Sequence, residues 1–274
     1  MNSKSLSLYL LAGAVLAGSV ACDGHRERRT SSHAAKKTIE RSWPAAGIDR
    51  VKVAEIDGSV RVEAIDGDQI TMIARVSGDY ELKQGVENDG LFETRVDGDT
   101  LRIGRQERKR GRRLNIGFLF GRDEIRVDYE LRVPRSVSLA VSTVNGRIST
   151  RGENNRSSDL VTVNGTIDAE TSGMEELRAV TVNGRVKARF LKTFQGAQFR
   201  TVNGGVEAHL PQSASFNVDL SQLNGDFEAE FPLSIHSNPG SRRVSGEVNG
   251  GQHSLKITTV NGDVELGRLT AVAK

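Results

Sequence analysis

Cysteine occurs once in the 274 residues, at Cys22, so no internal disulfide can form. An exported domain with this sequence must hold together by burial and backbone pairing alone. The five histidines, His25, His33, His209, His236 and His253, and that single thiol show no metal-ligand spacing. The acidic turns "GVENDGLFE" and "VDGDT" lack the closing glutamate of a calcium loop. No nucleophile elbow of the G-x-S-x-G type and no phosphate loop occurs, so neither a metal nor a cofactor is implied. Aromatic residues make up 5% and prolines number five, while the net charge is only +3. The one strongly apolar run, "LSLYLLAGAVLAG", is too short for a comfortable membrane span.

What the chain has instead is Gly, at 29 residues, with abundant Val and Thr. Glycine excess without proline argues against collagen-like or disordered chain, and Val with Thr points to many short strands and turns. Residues 1–21 read as a signal peptide, with Lys4 before the apolar run and small residues at Ser19 and Ala21. Cys22 follows directly. A lone cysteine at a cleavage site resembles a bacterial lipobox and is the expected lipid attachment point, although Ser19 stands where such boxes usually carry leucine. Residues 22–38 read as a polar tether; from Cys22 to Arg41 the chain carries six basic and three acidic residues. Basic residues beside an anchor would lie against anionic head groups.

The repeated phrase is the main signal. "VSTVNGRIST" begins at Val141, "LVTVNGTIDA" at Leu160, "AVTVNGRVKA" at Ala179, "FRTVNGGVEA" at Phe199 and "ITTVNGDVEL" at Ile257. Asn-Gly pairs start at Asn145, Asn164, Asn183, Asn203, Asn224, Asn249 and Asn261, with spacings of 19, 19, 20, 21, 25 and 12. The Asn249 copy departs from the flanking pattern and is set aside. Asn-Gly signals backbone with positive φ, hence a sharp corner between extended segments. A meander of hairpins accounts for Asn-Gly but not for Thr-Val before it. Stacked coils about 4.8 Å apart account for both, because identical residues then form ladders. Alternation supports the corner: Leu139, Val141 and Thr143 share a face, and after the corner the parity changes. Thr150, Ala169, Ala188, Ala208 and Ala229 supply small residues for a thin interior.

These "TVNGxV" coils resemble the bacterial putative-adhesin domains of unknown function, β-solenoid-like proteins of the cell envelope. "IERSWPAAGIDRVKVAEIDGSVRVEA" resembles the opening segment, with Asp57-Gly58 standing in for the first corner. "VDYELRVPRSVSLAVSTVNG" resembles the lead-in to the coils and "VSGEVNGGQHSLKITTVNGDVEL" the closing segment, which places Asn249 in a hairpin or loop before the last coil. The expectation is all-β: a β-rich part over 39–134, then a β-solenoid of parallel β-helix-like coils, 19–21 residues each, over 135–274. Asn145, Asn164, Asn183, Asn203, Asn224 and Asn261 are its corner ladder.

Chemistry is sparse. Asp168, Glu207, Glu228 and Glu265 each stand four after an Asn, with Lys187 at the same position between two of them. A solvated ladder of alternating charge accounts for them better than a polysaccharide-cleaving site, since sugar-cleaving clefts usually need aromatic platforms and no Trp or Tyr stands in the coils. The conspicuous surface feature is "LRIGRQERKRGRR", Leu101 to Arg113, with seven bases and one acid. Arg105, Arg108, Lys109, Arg110, Arg112 and Arg113 are candidate contacts for anionic lipid or polysaccharide, against the plainer reading of a charged hairpin loop. The sequence therefore reads as a lipid-anchored envelope protein, on the periplasmic side or the cell surface, that binds or scaffolds without catalysis. Envelope polysaccharide, anionic lipid or a membrane protein are the candidate partners, nucleic acid is not, and a monomer is expected. A sensor acting through a membrane partner is the alternative; an enzyme on polysaccharide stands third.

Overall fold

The computed structural model describes residues 35–78, 92–104, 126–152, 156–238 and 241–269. Every regular element in them is a strand. The chain opens with β1 (Ala35–Pro44), so the segment read as a tether through residue 38 ends in a strand. The first coil is β2 (Arg50–Ala54) and β3 (Val60–Ile65), on either side of Asp57-Gly58. After it come β4 (Gln69–Gly78), β5 (Glu93–Asp97), β6 (Thr100–Gly104) and β7 (Arg126–Pro134). The repeats then give β8 (Ser138–Asn145) with β9 (Ile148–Arg151), β10 (Ser158–Asn164) with β11 (Ile167–Thr171), and β12 (Leu177–Asn183) with β13 (Val186–Phe190). Next are β14 (Ala197–Asn203) with β15 (Val206–Pro211) and β16 (Phe216–Asn224) with β17 (Phe227–Ala229). A hairpin, β18 (Ser234–Asn238) and β19 (Ser241–Val248), precedes the last coil, β20 (His253–Asn261) with β21 (Val264–Leu269).

Each corner moves the chain from one sheet to the other. Strands that lead into corners belong to an eleven-stranded sheet, and strands that leave them belong to a ten-stranded one. Within β10, Leu160 and Thr162 are buried while Val163 and Asn164 are exposed; within β11, Ile167, Ala169 and Thr171 are buried. The inward set therefore changes parity at the corner, as a turn between two facing sheets requires. Coil stacks on coil in parallel register: Leu160 lies beside Val141 on one side and Ala179 on the other, and Asn164 beside Asn145 and Asn183. The interior is a continuous file of aliphatic and aromatic side chains. Near one end Phe190, Phe194, Phe216 and Phe231 meet edge to face, with ring centroids 4.9 to 5.7 Å apart.

Four features depart from the sequence expectation. The boundary at residue 134 does not separate the stack from what precedes it: the coil at the expected Asp57-Gly58 corner belongs to the same stack, β2 pairing with β8 and β3 with β9. The basic run read as a loop from Leu101 begins in a strand, β6, whose Leu101 and Ile103 are buried. The last coil in sequence is not last in space: β20 lies between β14 and β16, and β21 between β15 and β17. Leu266 consequently separates Ala208 from Ala229 in the small-residue file. Finally, Gly146, Gly165 and Gly184 do not have positive φ, whereas Gly204, Gly225 and Gly262 do, at 157°, 122° and 158°. Among the described residues the non-glycine residue with positive φ is Asn249, at 50°, followed by Gly250 at 87°. The Val248 carbonyl accepts from the Gly251 amide, so the copy that broke the pattern is the one that makes a tight Asn-Gly turn.

Candidate functional site: the corner ladder and its flanking rows

One row of side chains runs along the corners. Asn164 Nδ2 donates to Asn145 Oδ1 at 2.8 Å, Asn183 to Asn164 at 2.9 Å and Asn203 to Asn183 at 2.9 Å. Asn261 then donates to Asn203 at 2.9 Å and Asn224 to Asn261 at 2.8 Å. At the other end Asn145 donates to Asp57 Oδ1 at 2.8 Å. Every bond points the same way, and an acceptor-only carboxylate closes the row. Asparagine suits this position because its amide both donates and accepts, so one residue type propagates without limit.

The glycine after each Asn is dictated by the coil beneath. A Cβ on Gly146, Gly165, Gly184 or Gly204 would stand 1.8 to 1.9 Å from the carbonyl oxygen of the glycine in the preceding coil. The buried Thr two before each Asn serves that same carbonyl. Thr143 Oγ1 donates to Gly58 O, Thr162 to Gly146, Thr181 to Gly165, Thr201 to Gly184 and Thr259 to Gly204, at 3.2 to 3.3 Å. In the Asn224 coil Gln222 replaces the Thr, and its Nε2 reaches both Gly262 O, at 2.8 Å, and Asp226 O, at 3.0 Å. A residue that looked like a lapse in the repeat is thus its long-armed equivalent.

Two surfaces flank the ladder. On the ten-stranded sheet the side chains four after each corner run Arg61, Ser149, Asp168, Lys187, Glu207, Glu265 and Glu228. Ions alternate along much of it: Arg147 lies 3.6 Å from Asp168, and Lys187 2.7 Å from Glu207. The hydrogen bond from Lys187 holds the Glu207 carboxyl below its usual range, and Arg75 does the same for Glu130. Arg135 lowers Asp66 in the same way. Burial pushes Asp128 up, but bonds from Arg126 and the Ser59 amide outweigh it and leave the group lowered. Three glutamates, Glu207, Glu265 and Glu228, stand next to one another, and the inserted last coil puts Glu265 in the middle. On the other sheet the residues before the corners, Ile56, Val144, Val163, Val182, Val202 and Leu223, are exposed.

The sequence did not signal Glu55. It is buried, accepts from the Tyr129 hydroxyl at 3.0 Å and from the Ile56 amide at 2.8 Å, and lies two residues before the first corner. Nothing in a single "AEIDG" marks an acid as internal. Cys22 and the basic set Arg105, Arg108, Lys109, Arg110, Arg112 and Arg113 lie outside the described residues. Among the described residues, no group of three or more His, Cys, Asp or Glu converges as a metal site, and no helix is long and apolar enough to cross a membrane.

Parallel coils with laddered corners over this span decide the comparison. Residues 135–267 match the family model Toastrack DUF4097. The Toastrack match starts just after β7 and ends inside β21, so it omits the Asp57 coil that shares the ladder. No curated protein matches the chain. Among solved structures, one described as a putative cell adhesion protein from Clostridium sporogenes has a TM-score of 0.50 at 11% identity, over 86% of this chain and 100% of that one. A putative adhesin from Bacteroides fragilis gives 0.36 at 10% identity, over 85% and 98%. A putative lipid binding protein from Parabacteroides distasonis gives 0.30 at 13%, over 85% and 97%. At such identity the first likeness is one of fold alone.

Proposed function

We propose that this chain is an exported, lipid-anchored protein of the cell envelope that binds or scaffolds and carries out no catalysis. The observation that carries the reading is the shape of its polar chemistry. The described side chains repeat along an extended stack and pair with their neighbours in the next coil, instead of converging on one point. A repeating surface suits contact with an extended or repeating partner. The names given to the similar solved structures, cell adhesion protein and adhesin, agree with such a role. The N-terminal sequence, with Cys22 directly after an apolar leader, supports export and anchoring.

The anchor is tested by partition between detergent and aqueous phases. The native protein should enter the detergent phase and Cys22→Ser should remain in the aqueous one; a serine variant that still partitions into detergent sinks the lipoprotein reading. The binding role is tested by recovering partners from envelopes with the anchored protein in place.

A further inference from the structure

Eight large apolar side chains are exposed among the described residues, and six of them stand in a single row. Ile56, Val144, Val163, Val182, Val202 and Leu223 each immediately precede a corner residue and are 36 to 51% exposed. Val260, half-buried, completes the row in the inserted coil. The core does not need these side chains, since Thr143, Thr162 and Thr181 take the inward position beside them. Next to this row on the same face runs Ala54, Ser142, Val161, Val180, Arg200, Thr258 and Ser221, with one charge among seven. On its other side lies the Asn ladder. Each internal Asn commits one amide hydrogen and one carbonyl lone pair to its neighbours, which leaves one donor and one acceptor facing solvent. In a chain with 27% charged residues, this band is nearly uncharged.

The dimensions select the occupant. Seven rungs at the inter-strand spacing give a strip roughly 29 Å long and about 10 Å wide, on the order of 300 Å². A stable protein partner or a second copy needs about 800 Å² a side, so the strip is too narrow for either. A peptide strand adds to a sheet through a free backbone edge, which a sheet's side-chain face does not offer. A lipid surface would call for basic residues along the strip, and only Arg200 is there. A long, narrow, uncharged band with apolar side chains along one side and amides along the other matches one linear sugar chain. Ring C–H faces would rest on the Val row while hydroxyls exchange hydrogen bonds with the Asn row, and a pyranose ring advances along its chain by close to one inter-strand spacing. We propose that this corner strip binds a neutral linear polysaccharide, about one sugar ring to a coil. The inference rests on the binding role proposed above and names its ligand class.

Calorimetric titration of the full-length protein, solubilised in detergent, with cellohexaose, xylohexaose and mannohexaose tests it, with hexagalacturonate as the charged comparison. At least one neutral hexasaccharide should bind, its disaccharide about tenfold or more weaker, and the affinity should not change with salt. Val163→Lys with Val182→Lys should reduce the affinity about tenfold or more without lowering the unfolding midpoint, while Lys187→Ala leaves it unchanged. If the lysine pair does not fold, Val163→Thr with Val182→Thr, which keeps shape and strand preference, should still weaken binding several-fold. Failure of all three neutral hexasaccharides to bind would overturn the proposal. So would salt-sensitive binding of hexagalacturonate alone, affinity indifferent to both valine pairs, or self-association that the lysine pair abolishes. If neutral sugars fail while the anchored protein still recovers a partner from envelopes, the binding role stands and this ligand class falls.

Discussion

At the scale of the residue, the repeat was visible in the sequence but its reason was not. Asn-Gly is read as a positive-φ turn because most such pairs are one, and here, among the described residues, only Asn249-Gly250 has both residues at positive φ, although Gly204, Gly225 and Gly262 are positive too, at 157°, 122° and 158°. At the stacked corners the glycine is retained because the carbonyl of the glycine below occupies the place of a Cβ. That contact joins residues 19 or 20 apart at Gly165, Gly184 and Gly204, and 88 apart at Gly146, so no local preference encodes it. The two explanations make different predictions for the same coil. Gly184→Ala forces a Cβ to within 1.9 Å of the Gly165 oxygen, and since both partners are backbone the coils must separate. The expected loss is about 3 kcal/mol or more, measured by urea unfolding. Asn183→Ala removes two exposed ladder bonds, and its loss should be near 1 kcal/mol. Equal losses for the two variants would show that close approach does not fix the glycine.

At the scale of the element, the charged face of the ten-stranded sheet has a pH signature. Glu207, Glu130, Asp66 and Asp128 are lowered from ordinary values of 4.5 for Glu and 3.8 for Asp. A carboxyl whose folded value is depressed adds stability that is complete above its unfolded value and disappears as pH falls through the folded one. The unfolding midpoint should therefore be flat at neutral pH and drop as pH falls below about 4.5. Lys187→Gln should weaken that drop by returning Glu207 toward its ordinary range, and change stability at neutral pH by no more than about 1 kcal/mol. A midpoint that rose on acidification would contradict the sign. Element order was the least legible feature at this scale. Parallel coils with the same corner can stack in any sequence, so a repeat does not say which coil is neighbour to which. The spacings of 25 and 12 around Asn249 were the trace of the insertion, and Gln222 was its chemical mark. The break at Asn249 pointed to a hairpin or loop before the last coil but not to where that coil sits, because the arm length of Gln222 matters only once Gly262 lies beside it.

At the scale of the whole molecule, the stack has to end without inviting another strand. β1 sets Lys37 and Arg41 on the half-buried side of an edge strand, β5 is five residues with alternating charge, and β17 is only three residues long. These are ways of blunting an edge. The remaining case is β16, nine residues long and the terminal coil of its sheet once the last coil is inserted. The segment between Phe231 and Gln252 carries Pro232, Pro239, Arg242 and Arg243, residues suited to protecting an edge. The structure places β19 there, antiparallel along β16 from Phe216 to Gln222, with β18 outside it. The cap is thus a paired hairpin, not a loop laid across the edge, and the chain crosses past the start of β16 through the Asn249 turn, whose side chain donates to the Gln212 and Ala214 carbonyls. Replacing Ser234–Ser245 by a glycine–serine linker of equal length would leave that turn and the inserted coil in place while stripping most of the cover from β16. The native protein should sediment as a monomer at every concentration, and the linker variant should associate as concentration rises. Association should be suppressed by Val218→Pro in the same variant, since the newly bared edge can then no longer complete a ladder. A linker variant that stays monomeric would locate the end cap elsewhere, and the open face of β17 would become the edge to examine next.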